Sequence, residues 1–182
     1  MINYTTLALL LVLLAIGGYH RIQSQRTTES VDRSKEGWLL FAAIRLTGLA
    51  GWIAVVMAFR GPSVALPEAV RWTGVAMTAL SVAWLSWMFM SLGRNLTDTV
   101  VTRRDAVFVE RGPYRYVRNP MYVGVLMLGL SLGLALASWA VPAACIVTFA
   151  CFAIRVPTEE AHLIARFGGV YEDYMRRVGR FW

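Results

Sequence analysis

The chain has 182 residues, of which 57% are hydrophobic and 16% charged, with a net charge of +7. A soluble domain is about half apolar and about a quarter charged, so water is excluded as the solvent for most of this chain. The basic excess lies beside apolar runs and lacks the aromatic spacing of a nucleic-acid module. It is assigned to orientation in a bilayer and to anionic headgroups, and nucleic acid is excluded as a partner.

A membrane-spanning helix needs about 20 apolar residues. Residues 4–19 form the first run; no Lys or Arg precedes it and no small-x-small site follows, which predicts an uncleaved helix instead of a signal peptide. The second run, 37–59, carries one charge, Arg45, about two turns from its cytoplasmic end. Snorkelling is the simpler account of that position, although intramembrane charges also mark sites. The third, 66–92, has Glu68 and Arg71 at its rim, and its Trp and Met residues read as lipid-facing and packing groups. The fourth, 121–137, and the fifth, 139–157, have only Ser138 clearly between them and predict a tight helical hairpin, with Pro142 interrupting the fifth early. Gly124, Gly129 and Gly133 lie along the fourth, and the last two form a small-xxx-small pair suited to close helix contact. Cys145 and Cys151, six residues apart with no ligand at metal spacing, read as small packing residues.

Basic residues per segment, from the start of the chain through successive connections to its end, number 0, 4, 2, 6, 0 and 5. That alternation predicts five spans, with the N-terminus outside and the C-terminus in the cytoplasm. The fold class expected is therefore all-α: a polytopic membrane protein of five transmembrane helices, the last two a short hairpin, followed by cytoplasmic amphipathic helices.

The six-arginine connection, 93–120, is not low complexity. Val100-Val101 and Val107-Phe108-Val109 predict an ordered extended segment, with a turn at Gly112-Pro113. After Pro157 a new amphipathic helix is expected, with Thr158 as its cap and Glu159 and Glu160 in its first turn. Leu163, Phe167, Tyr171, Tyr174 and Val178 recur at helical steps, and Gly168-Gly169 is expected to break the run in two.

Two clusters have residue types suited to chemistry. Arg155 and Glu159 are four apart with Pro157 between them. Spacing alone favours an interfacial arginine beside helix-start acids; functionally, an arginine fork suits a carboxylate, and a carboxylate suits hydroxyls or an ammonium. The stretch from Gly112 to Tyr122 brings a turn, three tyrosines, Arg115, Arg118 and Asn119-Pro120 to the start of the fourth helix. A membrane-interface belt explains those residue types. It does not explain their convergence on a helix start, which suits a polar ligand. His20 and His162 lie in interfacial stretches without an identifiable partner, and no dinucleotide fingerprint, Walker loop or metal-ligand spacing occurs.

At these residues the chain resembles the isoprenylcysteine carboxyl methyltransferase family of membrane enzymes, related to phospholipid methyltransferases. The resemblance spans 106–182 and rests on Gly112-Pro113-Tyr114, Arg118-Asn119-Pro120-Met121-Tyr122, Arg155 with Glu159-Glu160, and Phe167-Gly168 with Tyr171, Tyr174 and the 178–181 ending. It implies an S-adenosylmethionine pocket, with S-adenosylhomocysteine as product, lined by Ala106, Val107, Phe108, Val109, Tyr114, Asn119, Pro120, Met121, Tyr122 and Glu159. Arg155 would lie on the acceptor side, so that Arg155 and Glu159 are the implied catalytic pair. The family usually has His where this chain has Asn119, which keeps a donor and an acceptor but cannot carry charge. The implied division is 1–92, three N-terminal spans, and 93–182, the cofactor-binding catalytic region on the cytoplasmic side.

The leading expectation is methyl transfer to a small lipophilic thiol, carboxylate or amine that arrives from the bilayer. A sterol-reductase-type enzyme using NADPH is the alternative, with Arg103, Arg104 and Arg118 available to the extra phosphate. A non-enzymatic scaffold or transporter subunit is a third, and predicts only an interface belt at Tyr114, Asn119 and Glu159.

Overall fold

The computed structural model describes residues 1–25, 38–92 and 108–181. They form six α-helices: α1 (Ile2–Gln25), α2 (Trp38–Arg60), α3 (Glu68–Leu92), α4 (Pro120–Ala135), α5 (Ala140–Phe167) and α6 (Gly169–Arg177), with a 3-10 turn at Gly112–Arg115. Among the described residues the nearest approach to a sheet is one parallel bridge, Val117 with Gly179. The expected extended character at Val100-Val101 and Val107 lies outside the described residues.

Four helices, α1, α2, α3 and α5, are long and apolar enough to cross a membrane. The protein is an integral membrane protein by this measure. The fourth predicted span is α4, with 16 residues, about 24 Å at 1.5 Å per residue against a hydrocarbon core of about 30 Å. It is apolar on every side, the pattern of a helix surrounded by other helices. It packs between α3 and α5, while α1 lies against α3 and α2 against α5.

The small residues of α4 serve this packing. A side chain at Gly129 would run into Cys145, and one at Gly133 into the ring of Pro142. Cys145 is buried and donates to the carbonyl of Val125, 3.2 Å away, so it packs as a small residue of α5. Between α3 and α4 the hydroxyls of Thr78 and Ser131 lie 3.1 Å apart, and each is also within hydrogen-bond reach of a carbonyl of its own helix, Gly74 and Leu128. Such pairs hold helices together where burial of apolar surface does not discriminate protein from lipid. At the end of the bundle where α3 begins, Arg71 donates to the Ala135 carbonyl and to Asn3, each at 3.1 Å. The α4–α5 turn docks there through the Ala137 carbonyl, which accepts from the amides of Ser63 and Val64.

Two expectations about proline are corrected. Pro142 does not interrupt the fifth span, because α5 starts at Ala140 and proline occupies its first turn, where the missing N–H has no intrahelical partner. Pro157 does not end it either: α5 continues to Phe167. Thr158 is therefore interior to a helix and not its cap; its carbonyl accepts from the His162 ring at 2.7 Å. One proline costs a helix about 3 kcal/mol, and contacts from other elements to Glu159 and Glu160, described below, hold the helix beyond it. The expected break at Gly168-Gly169 is present, with Gly168 at φ +56°.

Candidate active site

Continuation of α5 past Pro157 sets the geometry of the site. Arg155 and Glu159 become a regular helical pair, Arg155 Nε lying 2.9 Å from Glu159 Oε1. The first turn of α4 faces them. There the Tyr122 phenol donates to Glu159, its oxygen 2.7 Å from Oε1 and 2.8 Å from Oε2. Arg155 and Tyr122 are buried, and Glu159 is mostly so. Tyr122 is also stacked on Phe152, ring centroids 4.3 Å apart and nearly parallel. Phe152 precedes Arg155 by three residues on α5, so one strip of that helix carries ring, guanidinium and carboxylate.

Tyr114 enters from the 3-10 turn. Gly112 opens that turn at φ +63°, and a side chain there would run into Ser91. Burial pushes the Tyr114 phenol above its ordinary value, with Tyr174 and the Glu159 carboxylate adding to the shift. The Tyr114 carbonyl accepts from the Tyr174 hydroxyl at 2.6 Å. Pro120 is buried, and its carbonyl accepts from the Trp84 indole at 2.8 Å. This bond ties the start of α4 to α3.

Glu160 faces a different set of partners. It is buried, with Arg118 Nη2 2.8 Å from Oε1 and Arg180 Nη2 2.6 Å from Oε2. Arg118 also donates to the carbonyls of Met175 and Val178. Beside this knot the backbone of 118–119 pairs with 179–180: the Arg118 amide donates to Gly179 and the Asn119 amide to Arg180.

The residues expected at the cofactor site thus divide. Tyr122, Arg155 and Glu159 converge, with Tyr114 electrostatically linked to them. The Asn119 side chain turns to the Arg180 carbonyl, 3.3 Å away. Phe108 packs its ring against Phe167, Tyr171 and Tyr174. Val109 and Met121 are half-buried beside these groups in sequence. Ala106 and Val107 lie outside the described residues, as do Arg103 and Arg104. Arg118, which a phosphate-binding reading would use, is engaged by Glu160. Arg45 is exposed, with its guanidinium 5.0 Å from the centre of the Phe41 ring. A cavity of about 550 Å³ opens at the opposite end of the bundle, lined by Asn3, Phe59, Glu68 and Arg71 among others, and holds none of these site residues.

Sequence reasoning missed three groups. Phe152 was detectable, since it is three residues from Arg155 in an apolar run. Trp84 was read as packing, and its indole donor has no local sequence signal. The Arg118–Glu160–Arg180 knot joins residues 42 and 20 positions apart, which spacing within one helix cannot reveal.

Residues 69–169, more than half of the chain, match the phospholipid methyltransferase family. The chain belongs to that family. It is 34% identical over 89 residues to the protein-S-isoprenylcysteine O-methyltransferase of Schizosaccharomyces pombe, covering 47% of this chain and 38% of that protein. It is 30% identical over 115 residues to methanethiol S-methyltransferase 2 of Bradyrhizobium diazoefficiens, covering 57% and 44%. The match therefore spans less than half the length of these two relatives. The solved structure of a eukaryotic intramembrane Ras methyltransferase, isoprenylcysteine carboxyl methyltransferase, superposes with a TM-score of 0.65 at 18% identity, over 98% of this chain and 67% of that one. At that identity the match speaks for the fold alone, and the likeness in fold takes in the first three helices.

Proposed function

We propose that the protein is an S-adenosylmethionine-dependent methyltransferase of the membrane, acting on a small lipophilic thiol, carboxylate or amine. The observation that carries this reading is the buried Tyr122–Glu159–Arg155 cluster at the meeting of α4 and α5, in a chain of a methyltransferase family. The names of the relatives pair O-methylation of an S-isoprenylcysteine with S-methylation of methanethiol. Both acceptor oxygen and acceptor sulfur are therefore within the family's range.

The donor set suits the cofactor. Its amino-acid end carries an ammonium, which a buried carboxylate such as Glu159 can hold, and the outer faces of the stacked Tyr122 and Phe152 rings suit a cation. When bound, S-adenosylmethionine supplies an electrophilic methyl group on a sulfonium. The chain supplies position and a dry surrounding. Tyr122 fixes the Glu159 carboxylate by donating to both its oxygens. Arg155 presents positive charge to the acceptor side, favouring a carboxylate or a thiolate over its protonated form. Residues 93–182 are assigned the cofactor and the chemistry, and residues 1–92 the frame and the acceptor's route from the bilayer.

In the membrane, the alternation of basic connections supports five spans, α4 included, with the N-terminus outside and the site on the cytoplasmic side. Because α4 is short, its first turn and the cluster on it belong near the cytoplasmic boundary. The test of function is transfer of labelled methyl by the purified protein in lipid to a panel of thiols, carboxylates and amines. Near-normal turnover by both Arg155→Ala and Glu159→Ala would remove the proposed site.

A further inference from the structure

Phe181 lies ring to ring with Phe149, centroids 5.1 Å apart. Phe149 is one turn before Phe152 on α5, and Phe152 is the ring stacked on Tyr122. Other residues of the same helix, Ile146, Val147 and Ile154, are more than half exposed, as lipid-facing residues of a spanning helix are. On one helix, Phe149 thus adjoins both these exposed residues and, one turn on, the ring stacked on Tyr122.

The position of Phe181 is built by strong interactions. The adjoining Arg180 carbonyl accepts from the Asn119 amide at 3.1 Å, and its guanidinium grips Glu160, which Arg118 holds from the other side. The preceding segment has an aromatic core of its own, Tyr171, Tyr174 and Val178 with Phe108 packed against them. Two charge-assisted bonds and a backbone pairing therefore aim one ring at a spanning helix near the site. An apolar ring so fixed offers an apolar surface to whatever reaches the cluster from lipid.

We propose that Phe181, positioned by the Arg118–Glu160–Arg180 knot and paired with Phe149, is a specificity-determining residue whose ring forms the wall for the hydrocarbon chain of the acceptor. The proposal rests on the methyltransferase reading above. It makes the protein selective for acceptors with a long apolar chain over short ones of the same head group. Contact with a few methylenes in an apolar site discriminates by about tenfold or more.

The experiment uses the full chain in lipid nanodiscs and a series of n-alkanethiols from ethanethiol to decanethiol. The readout is the ratio of kcat/KM for the long to the short thiol, beside the affinity for S-adenosylmethionine. Phe181→Ala and Phe149→Ala are each expected to lower the ratio at least tenfold while cofactor affinity moves less than twofold. Arg180→Ala, which releases Phe181 without altering its ring, lowers the ratio too, and Arg180→Lys recovers part of it; a purely structural role would not move this ratio. If Phe181→Ala does not fold, Phe181→Leu and Arg180→Ala decide in the same way. A ratio within twofold of the unaltered protein's in the folded variants overturns the proposal and leaves the methyltransferase reading intact. No transfer to any acceptor by the unaltered protein, with no binding of S-adenosylmethionine, overturns both.

Discussion

Glu159 and Glu160 are adjacent in sequence but belong to separate networks: Glu159 accepts from Tyr122 and pairs with Arg155, whereas Glu160 is clamped between Arg118 and Arg180. Consecutive helical residues point about 100° apart, so one acid faces the α4 turn that carries Tyr122 and the other faces the chain ending. The first carboxylate belongs to the proposed chemistry and the second to architecture.

This division predicts opposite phenotypes. Glu160→Ala leaves the buried Arg118 guanidinium without its carboxylate, a loss of about 3–5 kcal/mol for a broken buried pair. Thermal unfolding in lipid or detergent is expected to show it as a large drop in Tm. Glu159→Gln, which keeps a side-chain oxygen for Tyr122 and Arg155, is expected to keep more of its stability than Glu160→Ala and to lose cofactor affinity. Equal loss of stability in the two variants would contradict the division.

Tyr122→Phe removes one hydroxyl and keeps the ring stacked on Phe152. A hydrogen bond to a charged group contributes about 1.5–3 kcal/mol, so stability should fall by up to about that amount, and affinity for S-adenosylmethionine should fall as the Glu159 carboxylate loses the group that positions it. Calorimetric titration measures that affinity directly.

The α4–α5 contact can be tested through Gly129 and Cys145. Gly129→Ala forces a methyl group into the space of the Cys145 side chain, an overpacking that costs about 1–3 kcal/mol. Cys145→Ala should relieve part of that cost. The double variant is therefore expected to be more stable than the sum of the single effects predicts, and additive effects would count against the close contact.

Ala137 holds φ at +51° in the α4–α5 turn, a left-handed conformation that costs a residue with a Cβ about 1–2 kcal/mol. Glycine removes that cost and loses about 0.5–1 kcal/mol in backbone entropy. Ala137→Gly is expected to raise Tm slightly, and a fall in Tm would show that the Ala137 methyl contributes more to packing than the turn costs.

Burial pushes the phenols of Tyr114, Tyr171 and Tyr174 above their ordinary value. Below about pH 10, the value in the unfolded chain, this has no effect on stability. Above it the unfolded chain releases protons that the folded protein keeps, so stability falls as pH rises. Denaturation at pH 11 should need less denaturant than at pH 9, and Tyr171→Phe with Tyr174→Phe should reduce the difference.

Most of the helical frame was legible in hydropathy, because spanning runs differ from connections in composition and not only in period. The hairpin was legible from two short apolar runs with only Ser138 clearly between them, and its close helix contact from Gly129 and Gly133. Pro157 misled because a local rule predicts the cost of one lost N–H and cannot weigh the contacts that Tyr122 and Arg118 make one turn further on. Arg155 and Glu159 could be named as a pair from spacing, but their joining to Tyr122 depends on how α4 lies against α5. The role of Glu160 was not legible at all, since Arg118 and Arg180 reach it only after the chain ending has folded back along 117–119.

The central claim is that the Tyr122–Glu159–Arg155 cluster holds S-adenosylmethionine. Its most direct test is calorimetric titration of the purified protein and of Glu159→Ala with S-adenosylmethionine, S-adenosylhomocysteine and NADPH. The account predicts saturable binding of the first two to the unaltered protein, loss of that binding in Glu159→Ala with the fold retained, and no binding of NADPH. Binding of NADPH alone, or equal binding of S-adenosylmethionine by both proteins, would contradict it.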